Sequence, residues 1–290
     1  MAAGRRGRAA RRPRAVGSPQ GRRARRERAV DAVSAPTSGY RTATQAPDPA
    51  ASGIVGVLGG MGPAATADFF AKLVRETPAV SDQEHLRTLV WSDATVPDRT
   101  DAILAAGPSP LPRLLEGVHL LQSAGAAIIA MPCSTAHAFL PDLRRASAVP
   151  ILSMIDASVR RLRAAAPSVS RVGLLATTGT LVTGLYQESL REQGIDAVVP
   201  PPLLQQRSVM RAVRLIKAGE LEAAEQALAP AVRSVAGAGA GMIVAACTEL
   251  PLVLGHRAEN LPVFDPTTAL AQDAVALARR RLPRPDHTKE

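Results

Sequence analysis

The stretch Ile54-Val55-Gly56-Val57-Leu58-Gly59-Gly60-Met61-Gly62 decides the fold, because it returns as Arg171-Val172-Gly173-Leu174-Leu175-Ala176-Thr177-Thr178-Gly179. Each is a short apolar run ending in a loop of small residues, the pattern of a buried strand entering a tight turn. At the single offset of 117, Gly56 meets Gly173, Leu58 meets Leu175, Gly62 meets Gly179, Thr66 meets Thr183 and Phe69 meets Tyr186. A second pair follows at an offset of 114: Gly125-Ala126-Ala127-Ile128-Ile129-Ala130-Met131-Pro132-Cys133-Ser134 against Gly239-Ala240-Gly241-Met242-Ile243-Val244-Ala245-Ala246-Cys247-Thr248. Two halves of similar length therefore repeat one plan.

Outward from these segments, the apolar pattern predicts strands at 54–58, 89–91, 126–130, 172–176, 197–199 and 242–245. Longer amphipathic stretches predict helices at 64–74, with Pro63 at the first position, and at 111–123, 181–193, 208–217 and 221–236. Near-continuous apolar strands alternating with helices imply an α/β protein whose parallel sheets are covered on both faces. The expected architecture is two pseudo-symmetric α/β domains with the active site in the cleft between them. The first comprises 53–152 plus 263–282, completed by a helix after Asp265, and the second 153–262.

The 290 residues are 46% apolar and 21% charged, the balance of a globular chain. No stretch approaches the ~20 uncharged apolar residues of a membrane-spanning helix. Aromatics are 2%, which leaves few rings for stacking on bases. The net charge of +10 sits almost wholly in residues 1–50. That segment holds twelve of the 35 basic residues and three of the 25 acidic ones, leaving 23 against 22 elsewhere. Nucleic acid is therefore not an expected partner, apart from weak contacts by this basic tail. Residues 1–49 show no apolar period and read as disordered. No apolar run follows the arginine pairs, so a secretory signal is not expected; a transit leader and a later translational start both stay open.

Only two cysteines occur, and the repeat places them at matching positions. Each follows a buried strand and precedes a helix signalled by Ser134-Thr135 or Thr248-Glu249. In open α/β sheets ligands bind beyond the carboxyl ends of strands. A thiol at a helix N-terminus would also have its pKa lowered by the helix dipole. Other readings of the pair are a disulfide, two inert core thiols, or a Cys133–His137 nucleophile pair one helical turn apart. The last leaves Cys247 unexplained, since Pro251 matches His137. Without a CxxC or a histidine pair, no metal site is expected.

Six segments in order resemble the aspartate/glutamate racemase family, most closely its aspartate racemase branch. They are Gly59-Gly60-Met61-Gly62-Pro63, Pro97-Asp98-Arg99-Thr100, Pro132-Cys133-Ser134-Thr135-Ala136-His137, Gly173-Leu174-Leu175-Ala176-Thr177-Thr178-Gly179-Thr180, Cys247-Thr248-Glu249-Leu250 and Phe264-Asp265-Pro266-Thr267. The resemblance covers about residues 53–282 and implies an amino-acid racemase that interconverts L- and D-aspartate or a related acidic amino acid. It implies Cys133 and Cys247 as the acid/base pair. Inverting an α-carbon needs a proton removed from one face and delivered to the other, which suits a thiolate opposite a thiol. By the same resemblance Arg99 grips the side-chain carboxylate and Lys217 supplies a second cation. Ser134, Thr135, Thr248 and Thr177 lie around the α-carboxylate, and Met61 offers backbone N–H. His137 and Glu249 stand behind the reacting groups. The family usually has Asn where Ser134 stands and Gly where Ala246 stands.

Pyridoxal phosphate chemistry needs a Schiff-base lysine. The chain has three lysines, Lys72, Lys217 and Lys289, none in a phosphate-cradling context, so no cofactor is expected. A cytoplasmic homodimer acting on a small amino acid, away from membranes, completes the expectation. A hydantoin racemase, maleate isomerase or decarboxylase with the same cysteine pair, or a non-catalytic small-molecule binder, is the alternative.

Overall fold

The computed structural model describes residues 53–281; the Arg-rich segment 1–50 lies outside the described residues. The founding motif forms β1 (Ile54–Gly59), flanked in parallel by β2 (Thr88–Ser92) and β3 (Ala126–Ala130) in the order β2-β1-β3. A parallel bridge from Ile129 to Ile151 extends this sheet. Alternation sorts the strand side chains. Val55 and Val57 point to one face, packed on Phe69 and Leu73 of α1 (Pro63–Glu76). Leu58 points to the other, against Leu114, Val118 and Leu121. These three belong to the helix Leu111–Ser123, which runs over the residues predicted. Phe69 is fully enclosed, a burial of roughly 1.5–3 kcal/mol.

The second sheet repeats the plan. β4 (Arg171–Leu175) is central, with β5 (Asp196–Val198) on one side and β6 (Met242–Ala245) on the other, all parallel. β8 (Leu261–Phe264) adds a parallel strand beside β6 and pairs antiparallel with the two-residue β7 (Arg257–Ala258). The orders β2-β1-β3 and β5-β4-β6 are the same arrangement, so the duplication read in the sequence is a duplication of topology. Val263 and Phe264 pair with β6, so β8 belongs to the second sheet.

The α-helices after α1 are, in chain order, α2 (Arg99–Ile103), α3 (Leu111–Ser123), α4 (Leu140–Ala146), α5 (Met154–Ala165), α6 (Thr178–Thr183), α7 (Leu185–Glu192), α8 (Pro202–Leu204), α9 (Arg211–Lys217), α10 (Leu221–Gly237), α11 (Pro251–Leu254) and α12 (Pro266–Arg281). One helix was expected over 181–193. Two are found, because Gly184 adopts φ +68° between them, a conformation that ends a helix. The run expected at 208–217 begins earlier, at Pro202, and carries a π-helical stretch, Gln205–Met210. α5 joins the halves. Met154 enters the core beneath the first sheet, while Ile155, Val159 and Leu162 enter that of the second. Asp273 of α12 holds α5 through Arg160 and, at 2.8 Å, Arg161. Lys72 of α1, buried, pairs with Asp68 and lies 2.6 Å from Asp265 Oδ2, tying α1 to the start of α12. Among the described residues no helix is long and apolar enough to cross a membrane.

Candidate active site

The connection after β1 runs to β2 on one side and that after β3 runs to the Ile151 bridge on the other, which opens a crevice at the strands' carboxyl ends. Three loops fill it from the first half: residues 59–62 after β1, the Val96–Arg99 turn after β2, and Pro132–Thr135 after β3. Gly60 permits the first of these. Its φ is +90°, and a Cβ there would lie 2.3 Å from the Asp93 backbone. The second half contributes the equivalent loops after β4 and β6. The halves meet closely where Gly179 faces Thr100: a Cβ at Gly179 would sit 2.8 Å from Thr100 Cα.

Between the two sets of loops lies a narrow cavity. Cys133 lines it from the first half and Cys247 from the second. Both are free and buried. Met61, Arg99, Ser134, Thr135, Thr177, Lys217, Thr248 and Glu249 also line it. Of the side chains named from the sequence, only His137 stands outside the wall. Asp98, Thr100 and Val213 line it too, and were not singled out; Asp98 stands in a quoted segment, but its contact with Lys217 has no local signal. A wider depression of about 450 Å³ shares Asp98, Arg99, Lys217 and Glu249 with the cavity and forms its mouth.

His137 sits behind Cys133. Its Nε2 accepts from the Met154 amide at 2.9 Å, so its proton is on Nδ1, which donates to the Cys133 carbonyl at 2.9 Å. Burial holds the imidazole neutral, with a pKa lowered to about 4. Ser134 Oγ lies 3.4 Å from the hydroxyl of Tyr186. Burial pushes that phenol up to about 12. Thr135, Thr177 and Thr180 form a closed ring of hydroxyls, each 2.9 Å from the other two, across the junction of the halves.

The expectation of an acidified thiol at a helix N-terminus fails at Cys247. No long helix follows it: α11 has four residues and starts at Pro251. Burial, reinforced by the Glu249 carboxylate, raises the thiol well above its ordinary value. Cys247 Sγ donates to Glu249 Oε2 at 3.2 Å, while Glu249 Oε1 accepts from the Gly62 amide of the opposite half at 3.1 Å. Cys133 is likewise followed by a 3-10 turn, Thr135–Phe139, rather than an α-helix.

Arg99 is fixed by backbone carbonyls. Nη1 donates to Val96 at 3.1 Å and Pro97 at 3.0 Å, and Nη2 to Met61 at 3.3 Å. Nε is buried and has no partner among the described residues. Of five N–H groups this leaves Nε–H and one on Nη2, which share an edge of the guanidinium. Lys217 Nζ stands 3.9 Å from Asp98 Oδ2, a contact between the halves at the mouth. Asp98 also caps α2, accepting from the Thr100 amide at 2.8 Å. Among the described residues no cluster of three or more His, Cys, Asp or Glu side chains is arranged to hold a metal ion.

Residues 58–274 match the family model described as Asp/Glu/Hydantoin racemase. The broad specificity amino-acid racemase RacX of Bacillus subtilis is 26% identical over 232 residues, covering 77% of this chain and 97% of RacX. An aspartate racemase structure from Picrophilus torridus superposes with a TM-score of 0.70 at 31% identity, over 80% of this chain and 96% of that one. The glutamate racemase of Campylobacter jejuni, at 19% identity and a TM-score of 0.57 over 79% of this chain and 85% of its own, shares the fold. A duplicated α/β chain with one cysteine from each half in a common cavity, matched over residues 58–274, belongs to the Asp/Glu/Hydantoin racemase family.

Proposed function

We propose that the protein racemises an acidic amino acid, aspartate foremost, by proton transfer between Cys133 and Cys247 with no cofactor. The observation that carries the reading is that these two thiols, from equivalent loops of the two halves, line one cavity. One sulfur, as thiolate, takes the α-proton: its S–H bond forms as the Cα–H bond breaks. The other thiol then donates its proton to the opposite face, and the pair exchanges states. The Thr135, Thr177 and Thr248 hydroxyls with neighbouring amides receive the α-carboxylate. The uncommitted Nε/Nη2 edge of Arg99 suits the second carboxylate, since two parallel N–H groups match two oxygens.

Substitution of Arg99 by Leu tests the substrate class. The variant should lose about a hundredfold or more in kcat/KM for aspartate while neutral amino acids change little, the loss expected when a buried charged hydrogen bond is removed. Equal losses on both classes would remove the acidic assignment. A broader amino-acid specificity is the second reading. It is favoured by Asp98, whose carboxylate balances Lys217 at the mouth, and by the similarity to RacX, itself of broad specificity.

A further inference from the structure

The helical run from Pro202 to Lys217 is interrupted by its π stretch, Gln205–Met210. Such turns are rare and concentrate at functional sites. This one aims three side chains at a single target. Gln205 Nε2 donates to the Ala176 carbonyl at 2.9 Å and reaches Thr178 Oγ1 at 3.4 Å. Gln206 Nε2 donates to the same hydroxyl at 3.1 Å, and the Thr178 amide donates to Met210 Sδ at 3.3 Å. Both neighbours of Thr177 are thereby held, while Thr177 itself lines the cavity. Gln205 is buried, and its Oε1 has no partner among the described residues. An unsatisfied buried acceptor is costly, so the residue is there for its donors. The same run continues to Val213 and Lys217, both in the cavity wall, with Lys217 about 18 Å further along.

We propose that Gln205 is a positioning residue: through the π turn it fixes where Thr177 presents its hydroxyl and amide to the substrate's α-carboxylate, and sets that group's spacing from Lys217. The inference rests on the substrate reading above. Gln205 acts only through Thr177.

The substitution Gln205→Met keeps the length of the side chain and removes both donors. Hydrogen exchange read by mass spectrometry should show the amides of 177–180 exchanging about tenfold faster, with those of β4 unchanged, the size of effect expected for one lost hydrogen bond. KM for aspartate should rise about tenfold while kcat stays within about threefold. Combined with Thr178→Val, the effects should add to less than their sum, because both changes remove the contact between Gln205 and the Thr178 hydroxyl. If the Gln205→Met variant fails to fold, Gln205→Asn, one methylene too short to hold the Ala176 carbonyl, supplies both readouts. Unchanged exchange at 177–180, or a fall in kcat at constant KM, overturns the proposal. If the wild-type protein exchanges no α-proton of any amino acid, the substrate reading fails instead. The amide measurement still decides the role of Gln205.

Discussion

Cys247 donates its thiol proton to Glu249 across 3.2 Å, and the same carboxylate holds the Gly62 amide of the other half at 3.1 Å. One buried acid thus joins a thiol to the loop that faces it. Burial raises Cys247, and the Glu249 charge raises it further, because a neighbouring anion disfavours the thiolate. Glu249→Gln removes that charge while keeping an oxygen for Gly62. The Cys247 thiol should then ionise at lower pH. Iodoacetamide labelling of its peptide at pH 8 should accelerate, and the alkaline limb of the pH–rate profile should move down. Labelling that slows or stays constant would show that the carboxylate does not govern the thiol.

Lys72 and Asp265 make a buried pair at 2.6 Å, with Thr267 Oγ1 accepting from Lys72 at 2.7 Å. Burial alone would raise the Asp265 carboxyl, but the ammonium and the Thr267 donors outweigh it and hold it below its usual range. Lys72→Met strands that carboxylate and should cost about 3–5 kcal/mol in urea unfolding, because an unpaired buried charge is left behind. Lys72→Met with Asp265→Asn should recover much of the loss. KM should change little in either variant, since neither side chain lines the cavity that holds the two thiols.

His137 gives a pH dependence of stability. Its pKa in the folded protein is lowered from 6.5 to about 4, so between these values the unfolded chain binds more protons than the native one. Stability should therefore fall as pH drops from 6.5 towards 4, by about 3 kcal/mol from this residue. A His137→Gln variant should lack this component. Urea titrations of both proteins across that range measure the difference. Equal slopes would contradict a neutral buried imidazole.

The fold was legible because its signal is repetitive and local. Each half shows a strand, a small-residue loop and a later strand ending at cysteine, and the two copies reinforce one another. What escaped depends on contacts distant in sequence or on disguised segments. α5 has Arg160, Arg161 and Arg163 among its apolar residues, and only the packing of two cores and Asp273 explain where it lies. β8 contains Pro262, which speaks against a strand, yet Val263 and Phe264 pair with β6. The bond from Gly62 to Glu249 spans 187 residues, and no pattern in either neighbourhood announces it. The helix-dipole argument for the thiols assumed helices longer than those that form.

Asp98 provides a test of the mouth. It faces Lys217 at 3.9 Å while capping α2. Asn caps nearly as well as Asp, so Asp98→Asn should leave α2 intact and release the Lys217 charge. KM for aspartate should fall about two- to fivefold, the modest effect of a solvent-exposed ion pair. Steady-state kinetics in low and high salt measure it. A rise in KM would assign Asp98 a direct role in holding substrate.

The two-thiol account is tested most directly by racemisation in deuterium oxide, followed at the α-carbon by proton NMR during the first few per cent of conversion. The product enantiomer should carry deuterium from the start while the remaining substrate keeps its proton, and Cys133→Ser and Cys247→Ser should each reduce turnover at least about a thousandfold. Product that retains the original proton, or either serine variant racemising at the wild-type rate, would contradict it.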